Sequence, residues 1–541
     1  MISSAARTFS TPARSPRGFA APSREVRPAP ERYRNAIGRY TVRRSADCVA
    51  CGLCAQLCPH GVHSRVGGYG LALRPRDFLC LGPACSETDH YCIARCPRQA
   101  LSLLRNPTAE AIGDPRWTSD LILATWRQAE TGHAITPGVE FRHGESGGGF
   151  DRLEFAFPDA TLRSSDASSL RSASPARELP QTRDVDPSAS LGTSLGLDLN
   201  RRNDGRPQVH IDLPIYGGGM SFGSVSPHVM LARARAAVAW NTFTCTGEGG
   251  YPDRLMPYDH HTITQVATGL FGVREETIQR VRLVEFKYAQ GAKPGLGGHL
   301  LGDKNTPAVA RMRGAVVGTA LFSPFPFHSV YSVEDHKKHV DWIKEINPQA
   351  LISVKVSTPT DVDMVAIGSY YAGAHIIHLD GSYGGTGAAP DIAKKNIAMP
   401  IEYAIPKVHR FLEAEGVREQ VVLVASGGIR TAYDALKSIA LGADGVVIGT
   451  AELVAIGCVR CGACERGRGC PRGIATTDNE LLKKVDVDWA TQRLVNLMAA
   501  WREQMVEVLG RFGMNKIGEL RGRRDCLRYL GELWGSGRND G

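Results

Sequence analysis

The stretch VVLVASGGIRTAYDALKSIALGADGVVIGT, Val421–Thr450, holds one complete structural unit. Val421–Ser426 (VVLVAS) is a short β-rich run, and Gly427-Gly428 ends it. Thr431–Ala443 then places apolar residues at helical spacing, with Gly442 near its end. Val446–Thr450 (VVIGT) returns to a β-rich run. Leu351–Ser357 (LISVKVS) and His375–Asp380 (HIIHLD) are further runs of the same kind upstream. Strand and helix alternate in this way from about residue 206 to 478, which is the signature of a βα architecture and a length that suits a single (β/α)8 barrel.

Three glycine-rich strand exits lie along the pattern. Ser426-Gly427-Gly428-Ile429-Arg430 follows one strand and Gly449-Thr450 the next, while Asp380–Ala388, with Gly384, Gly385, Thr386 and Gly387, leaves an earlier one. Barrels bind phosphate in the loops after strands 7 and 8, because glycine lets backbone N–H groups approach an oxyanion. One Gly-Gly is often only a turn; three in register along a βα pattern predict a phosphate-bearing ligand.

The cysteines narrow the choice of that ligand. Of 14 Cys, 12 fall in two dense groups, Cys48–Cys96 and Cys458–Cys470. Spacings of two or three residues are too short for ordinary structural bridges and suit thiolate–metal ligation in a reducing compartment. Cys48-x2-Cys51-x2-Cys54-x3-Cys58-Pro59 is the bacterial ferredoxin run, in which three cysteines hold one [4Fe–4S] cluster and the fourth crosses to another. A zinc knuckle would use two such pairs and would not call for the proline. Cys80-x4-Cys85-x6-Cys92-x3-Cys96-Pro97 is the stretched partner. By the crossover, Cys48, Cys51, Cys54 and Cys96 hold one cluster and Cys58, Cys80, Cys85 and Cys92 the second; the alternative is that the stretched block carries only buried thiols. Cys458-x2-Cys461-x2-Cys464-x5-Cys470 follows the last barrel strand, at the end where barrel active sites form. It predicts a third cluster, [3Fe–4S] or [4Fe–4S], with zinc as the alternative. Beside such clusters FMN is the natural occupant of the glycine-rich exits; a nucleotide substrate without flavin is the competing reading.

The remaining features set bounds. A chain of 541 residues predicts two to four domains. Its 43% hydrophobic and 22% charged residues are ordinary for a soluble enzyme, and no run of about 18 apolar residues predicts a membrane span. The net charge of +9 is concentrated in residues 1–40, which carry eight Arg, no Lys and two Glu; a folded nucleic-acid surface is therefore not expected. That Pro-rich head reads as a disordered tail rather than a transit helix. The expected order is this tail, a small α+β ferredoxin-like double-cluster domain over 41–105, a connector over 106–205, the barrel with its cysteine motif over 206–478, and a helical appendix over 479–541. In the appendix Trp489, Leu494, Leu497, Met498 and Trp501 share related faces.

The barrel region resembles the FMN-binding synthase region of glutamate synthases, in particular the archaeal-type large subunits with a ferredoxin domain. The resemblance rests on seven collinear segments: Gly218–Ser226 (GGMSFGSVS), Thr246–Gly250 (TGEGG), Gln265–Val273 (QVATGLFGV), Ala289–Gly295 (AQGAKPG), Tyr331–Asp335 (YSVED), Gly384–Ala388 (GGTGA) and Cys470–Thr476 (CPRGIAT). It implies a flavin lined by Met220, Ser221 and Gln265, with Lys355 beside the flavin N1/O2 edge, where a cation stabilises the anionic reduced form; a strand lysine that only neutralises phosphate is the plainer alternative. It implies 2-oxoglutarate among Glu248, Gln290, Lys293 and Arg313, where the Arg fork and the Lys charge suit a dicarboxylate. Glu334 would relay between ammonia delivery and the flavin.

Departures from the family pattern matter too. Cys245 replaces the Asn before TGEGG, Leu296 replaces a Glu in Lys293–Gly298 (KPGLGG), and Pro324-Phe325-Pro326-Phe327-His328 replaces a Pro-Pro-Pro-His-His run. A more apolar substrate wall would admit methylamine. Residue 2 is Ile2 where the family's glutaminase domain begins with a nucleophilic Cys, so ammonia is expected from solution or from a separate glutaminase subunit. The resemblance thus implies a cytoplasmic oxidoreductase. Single electrons from ferredoxin or an NAD(P)H-oxidising subunit would cross the clusters to FMN, and reduced flavin would give a hydride to the C=N of 2-iminoglutarate, yielding glutamate. N-methylglutamate synthesis and a non-catalytic electron-transfer subunit are the alternatives.

Overall fold

The computed structural model describes residues 23–29, 37–66, 70–71, 75–86, 88–134, 140, 149–158, 192–387 and 389–530. Most of the basic head, the Gly147-Gly148 pair and most of the Ser/Arg/Asp-rich stretch around 163–194 lie outside them.

Val421–Thr450 folds into strand, helix and strand. Thr431 caps the helix Ala432–Leu441, its Oγ1 accepting from Asp434 N at 3.1 Å. This unit is part of one eight-stranded sheet: β1 (Ile215–Gly217), β2 (Thr244–Cys245), β3 (Thr262–Ala267), β4 (Leu283–Lys287), β5 (Leu351–Ser357), β6 (Ile376–Asp380), β7 (Val422–Ser426) and β8 (Gly445–Ile448). Neighbours pair in parallel in the order β1-β8-β7-β6-β5-β4-β3-β2. The open edges meet where Gly217 N donates to Phe243 O at 2.8 Å and Gly219 bridges Cys245 in parallel. The expected (β/α)8 barrel is therefore present.

Side chains alternate along each strand, so the barrel has two cores. Outward residues such as Val284, Phe286, Ile352, Val354 and Ile377 pack under the helices. Inward residues Leu283, Leu351, Ile376 and Val422 form an apolar floor, closed from below by Leu197, Leu199, Val209 and Ile211 around the short strand pair Leu197–Asp198 and His210–Ile211. Two residues further up β4, β5 and β6 the inward positions turn polar, at Glu285, Ser353 and His378, which prepares the site at the C-terminal mouth. The segment between β4 and β5 adds a small strand pair, His299–Leu300 with Leu321–Phe322, and the helix Pro307–Arg313.

Ahead of the barrel, Tyr40–Arg44 pairs antiparallel with Leu101–Arg105. Between these strands the described residues make short helical turns and one small strand pair, Arg65–Val66 with Gly70–Leu71, and this segment carries the first eight cysteines around a small core of Val42, Val62, Leu79 and Leu101. The connector helix Ser119–Thr131 and the C-terminal helix Val487–Arg511 pack on each other. The C-terminal helix buries Trp489, Leu494, Leu497, Met498 and Trp501.

One part of the tail expectation is corrected. Ser23–Ala29 is laid against the C-terminal helix: Gln492 Nε2 donates to Glu25 O at 3.0 Å, and Arg27 Nε donates to Gln492 Oε1 at 2.7 Å. Buried Asn496 sets its Nδ2 at 2.9, 3.0 and 3.1 Å from the carbonyls of Arg27, Ala129 and Glu130. One amide thus ties the N-terminal segment to the connector helix. Asn496→Leu leaves those carbonyls without their donor, at about 1–3 kcal/mol for a buried polar group. Tryptic cleavage after Arg24, followed by mass spectrometry on folded protein, is expected to accelerate; an unchanged rate would show that the amide does not hold the segment.

Candidate active site

A carboxylate sits inside the barrel above the apolar floor. Glu285 of β4 is 1% exposed and accepts from Gln265 Nε2 of β3 at 2.7 Å and from Ser353 Oγ of β5 at 3.2 Å; His378 Nδ1 of β6 lies at 2.9 Å. His378 Nε2 lies 2.8 Å from Ser426 Oγ of β7, which donates to Asp380 Oδ1 at 2.6 Å. Asp380 Oδ2 then pairs with Lys355 Nζ at 3.2 Å and accepts from Gly291 N at 3.1 Å. Burial by itself would raise the Glu285 carboxyl, but His378, Lys355 and the Gln265 hydrogen bond pull it down to about 2. Burial likewise would discharge Lys355, and Asp380 and Glu285 outweigh it, holding the ammonium above its ordinary range.

Nearer the mouth, Glu248 is mostly buried and pairs with Lys287 Nζ at 2.9 Å. Burial would raise its carboxyl; Lys287, Lys293 and Arg313 together hold it below the usual range. Arg313 Nη2 donates to Ser221 Oγ at 3.1 Å and to Phe222 O at 3.0 Å, while its buried Nε has no hydrogen-bond partner among the described residues. Glu248, Lys293 and Arg313 therefore come together, with Ser221 as a support for the arginine. Gln290 is half-buried just beyond β4, its carbonyl accepting from Lys293 N at 3.2 Å. Glu334 does not join them: it is exposed on the first turn of the helix Val333–Ile346, beside Ser332. Leu296 and Phe325 are both more than half exposed.

The glycine-rich exits gather at the same end. Gly427 and Gly428 have φ of 93° and 101°, and a Cβ on Gly427 would lie 2.5 Å from Gly381 O, so the turn after β7 needs glycine. A side chain on Gly385 would run into Thr450 Oγ1, and one on Gly449 would meet Met220. Gly384, Gly385, Thr386, Gly387 and Gly428 line a cavity of about 320 Å³. Arg430 is not available to a ligand there, being bound by Asp151 and Asp434.

Cys458, Cys461, Cys464 and Cys470 line that same cavity. In the head, Cys58, Cys80, Cys85 and Cys92 line another, and Cys54 faces Cys48 and Cys51. Burial and mutual repulsion push the Cys92 thiol up to about 12, and burial pushes Cys458 up to about 11. Among the described residues no three His, Cys, Asp or Glu side chains converge closely enough to hold a single metal ion.

Lys287, Glu285, His378 and Asp380 escaped the sequence reading. The signal for them is the two-residue period: within LVEFK (Leu283–Lys287) and IIHLD (Ile376–Asp380), the charged or imidazole residues share parity with the floor residues Leu283 and Ile376, so they point inward.

A parallel (β/α)8 barrel with a buried cation–carboxylate mouth, glycine-rich strand exits and four cysteines lining the adjoining cavity has the make-up of a barrel oxidoreductase. The chain belongs to the glutamate synthase family and is a glutamate synthase-like enzyme. Residues 176–515 match the family model described as a conserved region in glutamate synthase. The archaeal-type glutamate synthase [NADPH] of Thermotoga maritima is 35% identical over 90% of this chain and 94% of its own. The archaeal glutamate synthase [NADPH] of Methanocaldococcus jannaschii is 35% identical over 90% of this chain and 93% of its own. Among solved structures, a flavocytochrome b2 variant with sulfite bound aligns at a TM-score of 0.43 with 15% identity, over 72% of this chain and 80% of that one. Among the described residues no helix is long and apolar enough to cross a membrane.

Glu285→Gln removes the carboxylate that pairs with His378 and acts on Lys355 inside the barrel. The expected loss is about 3–5 kcal/mol, since the partners of a buried ion are left uncompensated. The folded value near 2 lies below the ordinary 4.5, so the stabilisation is complete above pH 4.5 and is lost as pH falls toward 2. Urea unfolding of the two proteins should therefore differ most at neutral pH and converge in acid; a constant difference across that window would contradict the assignment.

Proposed function

We propose that the chain reductively aminates 2-oxoglutarate to glutamate with FMN at the barrel mouth, electrons from iron–sulfur clusters, and ammonia from solution or from a separate glutaminase subunit. The observation that carries this reading is the shared cavity, in which the last cysteine ring and the glycine-rich exits of β6 and β7 face one space. The donor sets suit the groups. Four cysteines spread around one cavity suit a cluster better than one ion, because each thiolate binds a different iron. Turns stripped of side chains at Gly427 and Gly428 leave backbone N–H groups open to a phosphate. Cys458, Cys461, Cys464 and Cys470 would hold the mouth cluster. Met220, Ser221, Gln265, Lys355, Gly384, Gly385, Thr386, Gly387, Gly427, Gly428, Gly449 and Thr450 would hold FMN. When bound, the clusters supply one-electron carriers and FMN a hydride donor.

The chain's own side chains do the rest. Arg313, held by Ser221 with its Nε still free to donate, and Lys293 bind the dicarboxylate. Lys287 keeps Glu248 ionised, so Glu248 can orient an incoming ammonium and accept a proton from it. Gln290 lies at the edge of this group. Lys355, fixed by Asp380, sets a positive charge at the barrel's upper rim. Exposed Glu334 has a place only if a docked partner covers it.

Two outcomes test the reading. Protein purified without oxygen is expected to carry one FMN and roughly 11–12 irons per chain. It should form glutamate from 2-oxoglutarate and ammonium under reduction, with methylamine and glutamine as parallel arms; zinc in place of iron, or folded protein without flavin, would refute the cofactor assignment. Arg313→Lys keeps the charge but loses the fork, so the KM for 2-oxoglutarate should rise by about tenfold or more with FMN retained. Loss of FMN with unchanged KM would move Arg313 to the cofactor.

A further inference from the structure

Two adjacent residues of the connector helix approach residues that line two different cysteine cavities. Arg127 Nη2 lies 3.3 Å from His60 Nδ1, and His60 lines the cavity of Cys58, Cys80, Cys85 and Cys92. Trp126 is 6% exposed, and the guanidinium of Arg472 lies 5.8 Å from its ring centre. Arg472 lines the cavity of Cys458, Cys461, Cys464 and Cys470. The indole is fixed from the far side, its Nε1 donating to Val454 O at 2.6 Å, four residues before the first cysteine of the mouth ring.

We propose that Trp126, Arg127 and Arg472 bridge the second cysteine ring of the head to the ring at the barrel mouth, with the two guanidiniums setting how an electron is shared between them. The bridge rests on clusters occupying both rings. Arg127 is the clearest sign of it. More than half buried, it makes no ion pair with a carboxylate among the described residues, and the groups whose charge acts on it are Cys85, Cys58 and Cys80. A buried cation without a carboxylate is costly unless its surroundings carry negative charge of another kind, and thiolates holding a cluster provide that. On the other side, Cys470, Cys458 and Cys461 act on Arg472.

The step itself is simple to balance. One electron leaves the head cluster, which is oxidised by one, and enters the mouth cluster, which is reduced by one; no bond breaks and no proton moves. The first electron comes from an external one-electron reductant. Reduction adds a negative charge to a cluster, so a neighbouring guanidinium favours the reduced form, more strongly where water is excluded. Arginine stays protonated across the working range, so this bias does not change with pH. Trp126, buried beside Arg472 and next to Arg127 in the helix, offers packed aromatic atoms, which tunnelling crosses more readily than a void or water.

The test uses the full chain, purified without oxygen, with iron and acid-labile sulfide measured first on the wild type. If both are absent, the cluster reading fails and the bridge with it. If they are present, a dithionite titration followed by EPR reads the head and mouth signals separately. Arg127→Gln should lower the reduced-to-oxidised ratio of the head signal about tenfold at fixed potential, about 59 mV for a one-electron couple, and leave the mouth signal in place. Arg472→Gln should do the reverse, and Arg127→Lys should stay near the wild type. Trp126→Leu should slow reoxidation of the head signal in freeze-quench experiments without moving either potential. Should Arg127→Gln lose its cluster, the Arg127→Lys and Arg472→Gln proteins decide the matter. Intact clusters whose potentials ignore these substitutions, or shift together for either one, overturn the bridge while leaving the cluster reading standing.

Discussion

A carboxylate enclosed in a barrel must be paired and hydrogen-bonded, and Glu285 meets that demand by drawing on strand after strand. Gln265 comes from β3, Ser353 from β5 and His378 from β6, and the chain continues through Ser426 of β7 to Asp380 and Lys355. The registers of β3 to β7 are therefore set by polar contacts as well as by the apolar floor. A slip of one residue in β4 would swing Glu285 out under the helices and bring Val284 or Phe286 in, with several kcal/mol of unpaired charge as the penalty.

The same alternation sorts the barrel from bottom to top. Leu283, Glu285 and Lys287 lie on one face of one strand, and they belong in turn to the floor, the hub and the mouth. Each level depends on the one beneath it. Glu285 helps hold Lys355 charged, and Lys287 holds Glu248 ionised against the cost of burial. What a ligand meets at the mouth is thus an arrangement of charges that cannot relax independently, which is the condition for electrostatic preorganisation.

The architecture was legible because Val421–Thr450 carries every signal at once: β-rich runs, paired glycines, a helical period with its cap, and a return strand. The convergence of Glu248, Lys293 and Arg313 was legible only through resemblance, since they lie on separate loops and no local pattern relates them. Glu285 and His378 were missed for a different reason. Their neighbours are apolar on both sides, so LVEFK and IIHLD read as plain buried strands, and the partner that makes a buried charge tolerable comes from another strand. Ser23–Ala29 was misread because composition describes a segment's own tendency, whereas its backbone partners, Gln492 and Asn496, lie near the other end of the chain.

The route of the chain also orders its assembly in time. During synthesis the cysteines of Cys48–Cys96 emerge first, on a small unit with its own paired strands and core. The ring at the mouth cannot form so early. Its cavity takes Arg116 and Trp117 from the connector, the glycines after β6, and Cys458–Cys470 from beyond the last barrel strand. The C-terminal helix then closes over the connector, burying Asn496 against carbonyls made long before it. Thiols of the head thus wait through most of translation, whereas those of the mouth emerge only when the rest of their cavity has already been made.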